Sequence, residues 1–426
     1  MLTCILKTSI DNTIFLKIMK QKYNHLRFYS LLLFLSFTLF VNAQTTNDSA
    51  LYNQVKEIHE QLKSQYAPDQ RTKLFILSQQ PERQNELELL STESEVVELF
   101  KEKVKNLDVP ITYRLLPDSS VGNKLYGIVN ISVANLRTRP SHAAEMATQA
   151  LLGSRVDILE KNGGDYRVRT PEGYIAWVPT SSIVTMTERE YDAWKNLDKI
   201  IFTDSYGKSY ANKELQGSQI SDLVFGNILA LMEEGEAYFK VQYPDQKTAF
   251  IEKSQSQSFD SWLTSRNPTA ENLIKDAKTM LGLPYLWGGT SVKGVDCSGF
   301  TKTAFLMNGI IIPRDASQQV LEGEPIEILD ENNEFSPDLA LKNLRKGDLL
   351  FFAAGKNKTP NARVTHVAIY MENGEFIHSA GSVRINSMLK DADNYDDFQT
   401  RTVVAARRYL NSSSKGIVPV KTNKYY

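Results

Sequence analysis

This 426-residue chain holds two cysteines, Cys4 and Cys297, and that scarcity decides what can hold its fold together. Cys4 lies ahead of an apolar leader, so the body of the protein keeps a single thiol. A disulfide-built scaffold and a thiolate-rich zinc or iron–sulfur site are both excluded. The fold must instead rest on buried apolar surface. With 42% hydrophobic residues the chain has enough for several cores, and its length asks for more than one domain. Lys+Arg numbers 49 and Asp+Glu 50, a net charge of −1 that gives no general attraction to nucleic acid.

The N-terminus reads as a leader. Residues 29–41, YSLLLFLSFTLFV, are too short to span a bilayer comfortably but suit the core of a signal peptide. Lys20, Lys22 and Arg27 precede the run, and Val41-Asn42-Ala43 offers small residues at a cleavage point. Residues 1–43 are therefore expected to be removed on export, to the periplasm or outside the cell, with no stable membrane insertion afterwards. Segment 1–18 does not fit this plan, and Met19 is the more natural start. Exported proteins pair their cysteines or avoid them, so a lone Cys297 is an inert buried thiol or a reactive one.

The mature chain falls into segments. Residues 44–120 form a small mixed α/β region, with an amphipathic helix at Val96–Val104 and extended chain at Val109–Tyr113. Over 125–185, β-type runs (Gly127–Val133, Arg155–Leu159, Tyr166–Arg169, Tyr174–Val178) alternate with Gly, Pro, Asn and Asp turns, as in a small barrel. A second such region, 197–255, has a similar plan, with Leu223–Leu231, Tyr238–Tyr243 and Thr248–Ile251 as its apolar runs. The words ANLRTRPSHAAEMATQALLG and GYIAWVP make the first region resemble a bacterial SH3-like domain. Asn267 is the expected N-cap of the next helix, with Pro268 at its first position. Residues 267–410 form the last domain, and 411–426 read as a polar tail.

The chemistry concentrates in that last domain. Cys297 follows Gly294-Val295-Asp296 and opens a helix whose apolar face is Phe300, Ala304, Phe305 and Met307–Ile310. At a helix N-terminus the macrodipole and unpaired N–H groups favour the thiolate, the nucleophilic form. Such a thiolate wants an imidazole partner. Of the mature chain's four histidines, His59 and His142 read as surface residues, whereas His366 and His378 lie in the cysteine's own domain. Asn373-Gly374 joins their two strands into a hairpin that sets the rings on one face.

The words PYLWGG, DCSGF, IPRDASQQ, KGDLLFF, THVAIY and FIHSA, in that order, resemble the NlpC family of papain-like cell-wall cysteine peptidases. With SH3-like modules ahead of them, the arrangement is similar to gamma-D-glutamyl-L-diamino-acid endopeptidases of the dipeptidyl-peptidase VI kind. The resemblance implies an α+β protein: a papain-like catalytic domain preceded by two small SH3-like β-barrels and a small mixed α/β region. It implies Cys297 as nucleophile, His366 as base and acid, and His378 as third member. Tyr285 would meet the oxyanion or substrate backbone, while Trp287, Asp296 and Ser298 would shape the site. Asp315, with Ser317 near it, would meet a substrate ammonium, and Glu145 and Tyr174 of the first SH3-like domain would complete that amine site. The chain departs from the subfamily in placing Ala316 directly after Asp315, and its long gap between Pro313 and Gly347 suggests an inserted loop near the cleft. The implied partner is a peptidoglycan stem peptide with a free N-terminal L-alanine, cut without metal or organic cofactor.

Other readings stay open on the residues alone. Cys297, His366 and His378 make three of the four ligands a zinc site needs, without the usual close spacing. Asp315 serves equally well as partner of Arg314 or as a helix cap. Glu145 reads as a solvated residue and Tyr174 as a barrel-core aromatic. An N-acetylmuramoyl-L-alanine amidase would use the same triad, and a non-catalytic wall-binding protein would use only the SH3-like modules.

Overall fold

The computed structural model describes residues 50–80, 83–355, 362–396 and 400–426. The expected leader lies outside these residues, and among them no helix is long and apolar enough to cross a membrane. The chain divides into two compact units, Met1–Leu115 and Leu116–Tyr426.

In the first unit, Arg83–Ser91 and Ile111–Leu115 pair in parallel, joined by the helix Ser94–Val104 as the crossover that parallel strands require. Val96, Val97, Phe100 and Val104 recur at helical spacing and bury against Phe75, Leu87 and Leu89. His59 is not on the surface. It shares the inward stripe of the helix over 50–66 with Val55 and Leu62, stacks on Phe75 (centroids 5.1 Å apart) and donates from Nε2 to the Phe75 carbonyl at 3.1 Å.

The second unit contains two β modules of the same design. The first is a seven-stranded antiparallel sheet of Tyr126–Val129, Val133–Arg137, Met146–Leu151, Arg155–Asn162, Asp165–Arg169, Ile175–Pro179 and Ile183–Met186. In space these run seventh, first, fourth, fifth, sixth, second, third. The second module comprises Lys199–Phe202, Tyr206–Tyr210, Gln219–Val224, Ile228–Glu234, Tyr238–Gln242, Thr248–Glu252 and Ser256–Ser258, in the same spatial order. In both, the sixth strand meets the second through one residue pair, Arg137↔Trp177 and Tyr210↔Phe250. Two apolar runs that the sequence suggests as single strands are broken. Gly127–Val133 divides after Val129, and Leu223–Leu231 divides at Phe225-Gly226-Asn227, where Gly226 takes a φ of 86°. These breaks let each chain leave one sheet position and return at another.

The last domain is a six-stranded antiparallel sheet with helices. Its strands, in spatial order, are Glu324–Pro325, Arg401–Arg408, Leu349–Ala354, Val364–Glu372, Glu375–Ala380 and Ser382–Ser387. One face carries the helix Cys297–Met307, whose Phe300, Ala304 and Phe305 are fully buried against Val367, Ile369 and Ile377. The opposite face is covered by the segment after Pro313. Rather than an open loop, it supplies an edge strand and the helix Pro337–Asn343, and its Ile328, Ala340 and Leu344 pack with Phe352, Ala368, Tyr370 and Phe376. The lead-in helix is Ala270–Thr279, and its N-cap is Thr269, two residues beyond Asn267. The Thr269 hydroxyl reaches the Asn272 N–H (3.2 Å), leaving Pro268 outside the helix.

Residues 411–426 are not a free polar tail. Val418–Pro419 pairs with Ile310–Ile311, and Val420 is buried. The segment then crosses to the first β module, where Tyr425 donates to Asp157 Oδ2 (2.6 Å) and lies beneath Arg155, 4.9 Å from ring centroid to guanidinium carbon. It stitches the catalytic-type domain to that module. Tyr425→Ala is expected to lower the unfolding free energy by about 3 kcal/mol, the usual cost of deleting a buried aromatic. Denaturant unfolding of the full chain checks it, and an unchanged midpoint would show that the strap carries no load.

Candidate active site

Asp296 organises the site. It is the N-cap of the cysteine helix, and its Oδ1 accepts from the Gly299 N–H at 2.7 Å. Its Oδ2 accepts from the Gly288 N–H at 2.9 Å, which ties down the PYLWGG loop. Arg314, 1% exposed, grips the same carboxylate with both terminal nitrogens (Nη1–Oδ1 3.1 Å, Nη2–Oδ2 2.6 Å). Its Nη1 also donates to the Ser298 hydroxyl (3.0 Å), and its Nε donates to Thr148 Oγ1 of the first β module (3.0 Å). Two glycines permit this closeness. A Cβ on Gly299 would stand 1.9 Å from the Gly289 carbonyl oxygen, and one on Gly288 would stand 2.5 Å from that of Met146.

This arrangement sets Cys297 at the first position of its helix, 7% exposed. Its thiol faces the backbone flanking His366: Sγ donates to the Thr365 carbonyl at 3.9 Å, and the Val367 N–H points back at it. The sulfur is thus more enclosed than the mouth of a cleft would require. Burial pushes the Cys297 thiol up to about 12, and the Asp296 charge adds to the rise. Backbone N–H groups of Val367 and Ser298 and the Arg314 charge pull the other way and lose. Burial thus opposes the thiolate that the helix N-terminus by itself would favour.

The hairpin forms as expected, with Asn373 and Gly374 both at positive φ in its turn. Ile369 pairs with Ile377, so His378 falls opposite Ala368 and lies diagonal to His366. His366 Nε2 and His378 Nδ1 are 2.8 Å apart, and His378 Nε2 is 3.0 Å from Asn386 Oδ1. The amide of Asn386 is oriented, because its Nδ2 donates to the Asn394 carbonyl (2.9 Å) and its Oδ1 accepts from Arg384 Nε (3.1 Å). The tautomers follow in turn. His378 donates from Nε2 and accepts at Nδ1, so His366 donates from Nε2 and keeps Nδ1 as its proton acceptor. Burial holds both rings neutral, His366 well below its ordinary value and His378 down to about 4, with the charges of Arg401 and Arg384 acting in the same direction. Both nitrogens of His378 are engaged, which leaves it none for a metal.

The other candidates divide. Tyr285 is held by its N–H on the Gly381 carbonyl (2.9 Å). Burial, then Cys297 and Asp296, push its phenol up, so it stays a proton donor. Trp287 is 61% exposed and donates from Nε1 to Glu145 Oε1 at 2.7 Å, bringing together two residues 142 positions apart. Asp296 and Ser298 spend their hydrogen bonds inside the protein, so they position the site instead of meeting substrate. Asp315 caps the short helix Ala316–Gln319, with its own N–H on Gln318 Oε1 (3.1 Å), and lies 3.8 Å from Arg314 Nη1; Ser317 is half-buried on that helix. Tyr174 is buried in the core of the first module and faces Arg314 electrostatically, so it does not line an open surface. The sequence shows Arg314 only as a candidate partner of Asp315 and does not single out Asn386. A lone arginine after the apolar run Ile310–Pro313 was a signal for the first, and the second had none.

Residues 282–406 match the NlpC/P60 family, and residues 136–183 match the bacterial dipeptidyl-peptidase Sh3 domain. The chain is 31% identical over 252 residues to a gamma-D-glutamyl-L-lysine dipeptidyl-peptidase of Bacillus cereus, covering 57% of this chain and 70% of that one. It is also 31% identical over 240 residues to a Bacillus subtilis protein of the same name, covering 54% and 71%. A crystal structure of an NlpC/P60 family protein from Bacillus cereus has a TM-score of 0.55 at 27% identity, over 67% of this chain and 99% of that one.

Removing the Arg314 charge strands Asp296. Arg314→Met is expected to cost about 3–5 kcal/mol in denaturant unfolding, as breaking one half of a buried pair does. A loss below 1 kcal/mol would mean the pair carries no structural weight. The titration argument gives a second outcome. A thiol raised above its ordinary value stays protonated through neutral pH, so Cys297 alkylation by iodoacetamide should climb only on the alkaline side, without a plateau between pH 5 and 8. A depressed His366 stays unprotonated as pH falls through about 6.5, so the acid limb of kcat/KM should lie below that value. A thiolate plateau at neutral pH would reject the neutral pair.

Proposed function

The chain belongs to the NlpC/P60 family of cell-wall peptidases and is a cysteine peptidase, and from that premise we propose that it hydrolyses the γ-D-glutamyl–diamino acid bond of peptidoglycan stem peptides bearing a free N-terminal L-alanine. The observation that carries this reading is the bond between Trp287 and Glu145. It sets a carboxylate of the first β module beside the loop that precedes Cys297, and the same module's Thr148 holds Arg314. A carboxylate there, with Asp315 as a second one beside Arg314, favours an ammonium, and a module wall beside it disfavours peptides that continue past it.

In the proposed mechanism, His366 Nδ1 takes the Cys297 proton as Sγ attacks the γ-carbonyl carbon. The carbonyl π electrons move to oxygen, which the Tyr285 hydroxyl and N–H groups at the helix N-terminus stabilise. The C–N bond breaks, and the proton on His366 goes to the departing amine. Water, deprotonated by His366, then cleaves the thioester to a carboxylate and restores the thiol. His378 holds the His366 ring throughout and accepts a hydrogen bond from its imidazolium form. We also propose that the protein is exported, on the strength of the apolar run 29–41 and the small residues that follow it.

Cys297→Ala should lower turnover at least about 10⁴-fold while substrate binding persists. Acetylating the N-terminal alanine of an L-Ala-γ-D-Glu-diamino-acid peptide should reduce kcat/KM of the intact protein about 100-fold, and Glu145→Gln should raise KM for the free-amine peptide about tenfold. Mass analysis of the products identifies the bond. Equal cleavage of free and acetylated peptides, or release of L-alanine from muramic acid, would overturn the substrate assignment.

A further inference from the structure

We propose that Arg384 recognises a carboxylate of the departing diamino acid, making it a specificity-determining residue for the leaving group; this rests on the bond assigned above. Arg384 pairs directly with His378 across neighbouring strands, so both side chains stand on one face of the sheet. Its Nε is committed to Asn386 Oδ1 at 3.1 Å, which fixes the guanidinium at the end of the line His366, His378, Asn386. The terminal nitrogens project from an exposed residue, and among the described residues no carboxylate pairs with them. Arg401, which also acts on both imidazoles, differs in being bound to Asp396 at 2.5 Å.

The position fits a leaving-group site. The departing nitrogen must take its proton from His366, so the diamino acid lies over the histidine strands. His366, His378 and Arg384 sit on three consecutive strands about 4.8 Å apart each, so Arg384 is about 10 Å from the base. That span suits the side chain of a diamino acid together with an arginine. A planar guanidinium with two free donors is matched by a carboxylate and not by an ammonium. The leaving residue offers two sources: its α-carboxylate, and a carboxylate at the end of its side chain, as in diaminopimelate but not in lysine.

The test uses the full chain and four L-Ala-γ-D-Glu peptides ending in diaminopimelate, its side-chain amide, its α-amide, and lysine. Wild-type kcat/KM should fall about tenfold or more for whichever amide removes the recognised carboxylate. In Arg384→Ala that preference should shrink to near unity, Arg384→Glu should invert it toward the amide, and Arg384→Lys should restore part of it. A side-chain source also predicts poor cleavage of the lysine peptide by wild type. A wild type indifferent to both amides, or an Arg384→Ala that slows all four peptides by one factor, would overturn the proposal and leave Arg384 as a support for Asn386. Failure of the bond assignment looks different, because no peptide of the series would then be cut after D-glutamate.

Discussion

The site depends on one ion pair shut away from water. Asp296 and Arg314 join four pieces of chain: the loop through Gly288, the start of the cysteine helix, the short helix after Arg314, and Thr148 of the first β module. A buried pair of this kind contributes little net stability, because desolvating both charges offsets most of their attraction. Its consequence is geometric. The carboxylate has acceptor directions for a few donors only, and Gly288, Gly299, Ser298 and Arg314 fill them, which registers these segments against one another.

Cys297 bears the consequence of this order in its charge state. Burial and the Asp296 charge raise the Cys297 thiol, and the Val367 N–H and the Ser298 N–H at the helix N-terminus pull against them. Burial therefore wins, and the Cys297 thiol and the His366 imidazole both rest neutral. The chain of single hydrogen bonds from Arg384 through Asn386 and His378 has only one consistent direction, and it ends by presenting a lone pair at His366 Nδ1.

The two β modules share one strand order and divide the work. The first supplies Glu145, Thr148 and Gln149 to the last domain, the Gln149 Oε1 accepting from the Thr290 N–H at 2.9 Å. The second braces the first, as where Asn227 Nδ2 donates to the Ser132 carbonyl at 2.8 Å. The C-terminal strap closes the same junction from the other side, through Tyr425 and Asp157. Repetition of a fold therefore does not mean repetition of a role.

What could be read from residue order alone was whatever short-range physics dictates: the alternation that makes the histidine hairpin, the Asn373-Gly374 turn, and the apolar stripe of the cysteine helix. The Cys297, His366 and His378 set was legible because its members sit in such local patterns. Asn386 was not, since an asparagine in a β-strand shows nothing of its partner, and the C-terminal segment looked polar because its buried Val420 and Tyr425 are separated by polar, largely exposed residues. The thiol's charge state could not be read either. Helix position is local and visible, but desolvation depends on which strand backbone and which module close over the sulfur. Composition and periodicity settled which elements form, because those forces act over a few residues. Only the tertiary structure decided that Arg314 is buried and that Glu145 meets Trp287 across 142 residues, because burial and ion pairing act through space and leave no spacing in the chain to find.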